Sequence, residues 1–173
     1  MAGSESAASE FWQFSLRFYS RAEIPPLCIA LQDDYDVDVN LLFFILYLGV
    51  NGRQLTIDDV RRIDASIHDW RVKIVQPLRA IRRELKVGIA PVDANTAEAL
   101  RSAIKRDELL AERLQQAALE RGFPVASTGV PAAARAAAEA NIAAYRSTMG
   151  AWPEAAFRPL LTALLRSEGL LDG

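Results

Sequence analysis

The sequence predicts an all-α protein, a compact bundle of about six to seven helices. Three observations carry that class. Apolar residues recur three or four apart along most of the chain, the spacing of one helix face. Proline, glycine, serine, threonine, aspartate and asparagine fall at the places where helices start and stop. No run shows two-residue alternation, a glycine-rich phosphate loop or a fixed-period repeat. At 173 residues the chain is expected to form a single helical domain over 1–173, with room for one core.

The first helix spans Phe11 to Tyr19, with Phe11, Phe14 or Ser15, and Phe18 at helical spacing and Ser9 or Ser6 as its cap. Pro25 and Pro26 break the chain, and Pro26 suits the first turn of a second helix carrying Leu27, Cys28, Ala30 and Leu31. Asp36 or Asp38 caps a third helix. Its run LLFFILYLGV (Leu41 to Val50) is apolar nearly all round, so the 39–50 helix is placed at the centre of the core. Ten residues are about half of what a bilayer crossing needs. Gly52 ends this helix.

Thr56 opens a long helix over 56–86. Asp58 and Asp59 lie in its first turn, where carboxylates complement the helix dipole. Its apolar stripe is Val60, Ile63, Ile67, Trp70, Ile74, Leu78, Ile81 and Leu85, and a kink is expected near Pro77. After the loop Val87–Asp93, Asn95 or Asp93 caps a helix to about Arg121. Its apolar positions are Ala97, Leu100, Ile104, Leu109 or Leu110, Leu114 and Ala118. Gly122, Phe123 and Pro124 end it, and the segment VASTGVP to Pro131 reads as a mobile connector. Residues 132–144 hold nine alanines, which favour a close-packed helix with little side-chain area to bury. Trp152 and Pro153 start a final helix bent at Pro159, and Gly169 ends it.

Composition excludes several functions. The net charge of −2 lacks the broad basic excess of a protein that coats nucleic acid. One cysteine and one histidine provide neither an intrachain disulfide nor a zinc-ligand set. Residues 1–10 lack the basic start and apolar run of a secretory signal, so a cytoplasmic protein without a transmembrane segment is expected. No cofactor is expected either.

The candidate chemistries are weak. Asp34, Asp36 and Asp38 match the first three ligand positions of a calcium loop, but Val39 replaces the turn glycine and Ile45 the bidentate glutamate. Asp34 and Asp38 also meet the DxxxD spacing of isoprenoid synthases, which need a second cluster and a large cavity. Capping and a solvated turn account for the run better. His68 has Asp64 one turn earlier as a partner. Cys28 sits in LCIAL, a core-like setting that raises a thiol pKa. Ser127 lacks the glycines of a nucleophile elbow. No catalytic or metal residue is assigned, and the protein reads as more binder than enzyme.

Charge along the chain is uneven. Residues 1–52 carry two basic and seven acidic side chains, and residues 53–86 carry nine and five. Counting about 100° per residue, Arg79, Arg82, Arg83 and Lys86 fall on one face of the long helix. Grouped arginines suit carboxylate or phosphate groups. The expected role is therefore an interaction or regulatory module that presents this basic flank to an acidic protein partner. A site for a small anionic ligand is the alternative.

Three segments, FWQFSLRFYSR, CIALQDDYDVDVNLLFFILYLG and the Trp70–Lys86 run W-x-x-x-I-V-x-P-L-R-x-x-R-R-x-L-K, resemble a proteobacterial family catalogued as domain of unknown function 2390. The resemblance covers about residues 10–86, with 93–169 following as C-terminal helices. It implies a small bacterial α-helical protein and brings no activity, cofactor or catalytic residue. Its segments contain polar residues that packing alone does not demand. Asp38 or Asn40 is therefore expected to meet Arg79 or Arg82 across the bundle, or to floor a small pocket with them.

Overall fold

A computed structural model describes residues 9–150 and 154–171. The alternative cap Ser6, the opening residues 1–8 and the expected helix start at Trp152 and Pro153 lie outside the described residues. The helices are α1 (Glu10–Tyr19), α2 (Ile24–Tyr35), α3 (Val39–Val50), α4 (Ile57–Trp70), α5 (Gln76–Val87), α6 (Ala94–Gly122), α7 (Ala134–Arg146) and α8 (Glu154–Ser167). A π-helical turn, Arg71–Val75, joins α4 to α5 without a break. The described chain thus forms seven helical rods. Among the described residues, no helix is long and apolar enough to cross a membrane.

The predicted caps resolve as single choices. Ser9 accepts from the Trp12 N–H, Asp38 from Asn40 and Leu41, and Asp93 from Asn95 and Thr96. Thr56 and Asp59 form a reciprocal capping box, which satisfies two otherwise orphaned donors. Helix α3 is the central rod, with every residue from Val39 to Gly49 buried. The α1 aromatics seat against it. Phe11 stands edge-on to Phe44 at 4.9 Å, and Phe18 lies 5.2 Å from Phe43, within the range where aromatic pairs add to simple burial.

On the other side of α3 lies the alanine-rich α7. A Cβ on Gly49 would stand 2.6 Å from the Ala138 Cα, so the two backbones touch where neither helix has side-chain bulk. Asn141, fully buried on α7, locks the contact. Its Nδ2 donates to the carbonyls of Ile45 (3.0 Å) and Arg53 (2.9 Å), and its Oδ1 accepts from the Leu55 N–H (2.7 Å). That asparagine satisfies backbone groups that would otherwise be buried without partners.

Four expectations need correction. The long helix is not a single α-helical run, since a π turn at 71–75 interrupts it just before Pro77. Gln76 N–H reaches back to the Arg71 carbonyl, and Pro77, lacking an N–H, then starts α5 in the position prolines tolerate. Within the wider turn Val75 is buried in place of Ile74, and beyond it Ile81 is exposed. The segment before Pro131 is tied down rather than mobile. Arg53 Nε and Nη2 donate to the carbonyls of Thr128 and Gly129, both at 2.7 Å. A two-stranded antiparallel ladder, β1 (Arg53–Gln54) with β2 (Val130–Pro131), closes beside it. Gly129 makes this possible, having φ +66° and room for no Cβ against the Gln54 carbonyl. Two residues per strand are too few to leave an alternation in the sequence.

The largest correction concerns α6. Leu100, Leu109, Leu110 and Leu114, expected to face the core, are 51–55% exposed. Ala97 is buried as expected, but the other buried positions are Glu108, Ala111, Gln115, Gln116 and Leu119. The helix turns a face inward that is half polar, and α5 and α3 offer it charged and amide partners.

Candidate functional site

The basic residues of α5 meet the polar face of α6. Arg79 donates from Nε to Glu108 at 3.1 Å and from Nη2 to Glu112 at 2.6 Å. Arg82 grips both oxygens of Glu108 with Nε and Nη2. Glu108 is only 6% exposed, and the two guanidiniums supply the donors that a buried carboxylate requires. Burial pushes the Glu112 carboxyl up from its ordinary value. Arg79 opposes this shift, and the negative Glu108 adds to it. Arg83 is half exposed and pairs with Asp33 of α2, while Lys86 stays exposed.

A second cluster forms around Asp38. Besides capping α3, its carboxylate accepts from Arg71 Nη1 (3.3 Å) and Gln115 Nε2 (2.8 Å). Arg71, from the π turn, also donates to Asp64 at 2.6 Å and touches His68 Nδ1 at 3.1 Å. Arg71 thus occupies the place expected for His68 beside Asp64. Asn40, buried, accepts from Gln116 Nε2 at 2.7 Å. Neither Asp38 nor Asn40 is hydrogen-bonded to Arg79 or Arg82; their partners are Arg71 and the two α6 glutamines. Asp38 and Arg79 do line one cleft, of about 380 Å³, together with Gln32, Asp36, Arg71 and Arg83.

Sequence reasoning missed Arg71, Glu108, Glu112, Gln115, Gln116 and Asn141. A signal existed for the glutamates. Glu108 and Glu112 are one turn apart on α6, as Arg79 and Arg82 are on α5, and a short 87–93 loop makes those helices antiparallel neighbours. For Arg71 there was none, since its direction depends on the π turn.

The other candidates are structural. Cys28 is buried, and desolvation pushes its thiol up to about 12, far from a nucleophile's range. Asp33 is engaged by Arg83, Asp36 ends α2 in a left-handed conformation, and Asp38 is the cap. Among the described residues, no three metal-ligating side chains are grouped.

Several large apolar residues are left facing outward among the exposed charges. By the 100° count, Leu100, Leu110 and Leu114 lie on the flank of α6 opposite to the Glu112 side, and Ile81 lies on the matching flank of α5. Val87, Ile89 and Val92 are also exposed, at the hairpin tip, Val87 being 82% exposed.

No curated protein and no solved structure matches the chain. A family model described as a protein of unknown function, DUF2390, matches residues 10–119. The match reaches past Lys86 through the hairpin and nearly to the end of α6. It therefore takes in α1 to α5, the Arg–Glu ladder and the outward leucines together. The chain belongs to the DUF2390 family.

Proposed function

We propose that this protein is a non-enzymatic interaction module whose working surface is the apolar flank of the α5–α6 hairpin. The observation that carries the reading is the exposure of Leu100, Leu110 and Leu114 on a helix that turns Glu108, Gln115 and Gln116 inward. Single exposed leucines are ordinary, but a run of them beside exposed Ile81, Val87, Ile89 and Val92 marks a surface that another protein covers. The basic flank supports the module from within. Arg79 and Arg82 hold α5 to α6, leaving the exposed Lys86 as a rim charge, which steers a partner more than it binds it.

The cleft beside Asp38 weighs less as a site for a small anion. Arg71, Arg79 and Arg83 are already matched by Asp38, Asp64, Glu108, Glu112 and Asp33, so an added anion meets no uncompensated positive charge.

Affinity capture from native cytosol with the tagged chain tests the proposal. A folded Leu100→Glu/Leu110→Glu variant is expected to lose the captured protein, while Arg83→Ala retains it. If the glutamate variant keeps every captured species, the apolar flank is not the docking surface.

A further inference from the structure

The spacing on the exposed flank of α6 says more than that it is apolar. Leu100, Ala103, Asp107, Leu110, Leu114, Ala117 and Arg121 succeed one another at intervals of three and four residues. That is an unbroken run of a and d positions, the seam of a two-stranded coiled coil. Every one of them is exposed or partly exposed. The seam spans 22 of the 29 residues of α6, about 32 Å at 1.5 Å per residue. Five of the seven are apolar and two, Asp107 and Arg121, are charged, and among the described residues this stripe stays open to solvent.

We infer that the second strand is α6 of a second copy of the chain, packed antiparallel across a two-fold axis near residue 112. The inference rests on the α5–α6 flank being the docking surface. Charge chooses the register. With Leu110 against the partner's Leu114, and Leu114 against the partner's Leu110, Asp107 packs on the partner's Ala117. Asp107 then lies one turn from the partner's Arg121. On the edge of the seam, Arg106 faces the partner's Glu120, whose Oε1 also accepts from the Phe11 N–H of its own chain at 3.0 Å. Symmetry makes each of these contacts twice, as a self-complementary interface requires.

The neighbouring registers are worse. Sliding one heptad toward the N-terminus brings Arg106 against the partner's Arg113, twice. Sliding one heptad the other way sets Leu110 against the partner's Arg121 and shortens the overlap. Polar residues at a positions commonly fix register at some cost in affinity, and Asp107 and Arg121 play that part here. One repulsive contact remains, Arg113 facing the partner's Arg113 near the axis. In the single chain, Arg113 lies over the Trp12 ring at 5.9 Å, which offers it another direction.

Sedimentation equilibrium of the full chain over the micromolar range tests the pairing. A monomer–dimer equilibrium is expected. Leu114→Glu, present twice per interface, raises the dimer Kd about a hundredfold or more, with the melting of the monomer unchanged. Arg113→Ala tightens the dimer by about two- to fivefold through loss of the like-charge contact. A chain that sediments as a monomer throughout, or a dimer indifferent to Leu114→Glu, overturns the inference. A monomer whose Leu100→Glu/Leu110→Glu variant still loses a captured protein would overturn self-pairing alone. If that variant also retains every captured species, the docking surface falls with it.

Discussion

Asn141 and Cys28 are two buried residues whose roles arise from opposite needs. Asn141 satisfies two carbonyls and one N–H that belong to α3 and the 53–55 segment, so its amide replaces a ladder that the short β1 strand cannot supply. Cys28 satisfies nothing and packs as a small apolar group. Its thiol, held near 12 by burial, stays protonated when the unfolded chain's thiol has ionised. Between its ordinary pKa of about 9 and about 12, the native state therefore binds more protons than the unfolded one. Stability falls as pH rises through that window, by up to about 1.4 kcal/mol per pH unit. Urea unfolding of the wild type between pH 9 and 10 is expected to lose stability more steeply than Cys28→Ala. Parallel slopes would show that the thiol ionises in the folded protein. Both residues illustrate how much was readable. The LCIAL setting identified Cys28 as core, whereas Asn141 lay in an alanine run with no local sign that distant backbone groups needed it.

At the scale of elements, close approach and polar pairing decide where the helices sit. The α3–α7 contact exists because Gly49 meets Ala138. Gly49→Ala forces the backbones apart, and overpacking of this kind costs about 1–3 kcal/mol. The loss outweighs the gain in helix propensity of roughly 1 kcal/mol, so thermal melting should show net destabilisation. A melting temperature at or above the wild type would mean that the helices separate freely. The α5–α6 contact works differently. Arg79, Arg82, Glu108 and Glu112 form a partly buried network, in which loss of one partner strands the charge of another. This polar contact explains the misreading of α6. Apolar period alone assigned Leu100, Leu110 and Leu114 to the core, but α5 had already committed its arginines to that interface. The two helices satisfied each other's charges and left Leu100, Leu110 and Leu114 of α6 and Ile81 of α5 outside. Caps, by contrast, were legible because Asp38, Thr56 and Asp93 act on backbone N–H groups two or three residues away. The π turn was not legible, since it depends on relieving Pro77 within a packed helix.

For the molecule as a whole, the uneven charge has a structural outcome. The basic excess over residues 53–86 is consumed inside the fold by Asp33, Asp38, Glu108 and Glu112. The surface that results is distinguished by apolar exposure on α5 and α6, a feature to which net charge and mean hydropathy are blind. Fold class and the central position of α3 were available from the sequence. The working face was not, because it depends on which of two amphipathic faces of α6 turns inward, and that is settled by a neighbour about 30 residues away.

Site-directed cross-linking tests the central claim most directly. Arg113→Cys places a thiol beside the proposed two-fold axis, while the buried Cys28 stays silent. A short bis-maleimide should link this variant rapidly into a covalent dimer at micromolar protein, and Arg135→Cys on α7 should remain monomeric under the same conditions. If Arg113→Cys links no faster than Arg135→Cys, the leucine seam of α6 does not pair with a second copy of the chain.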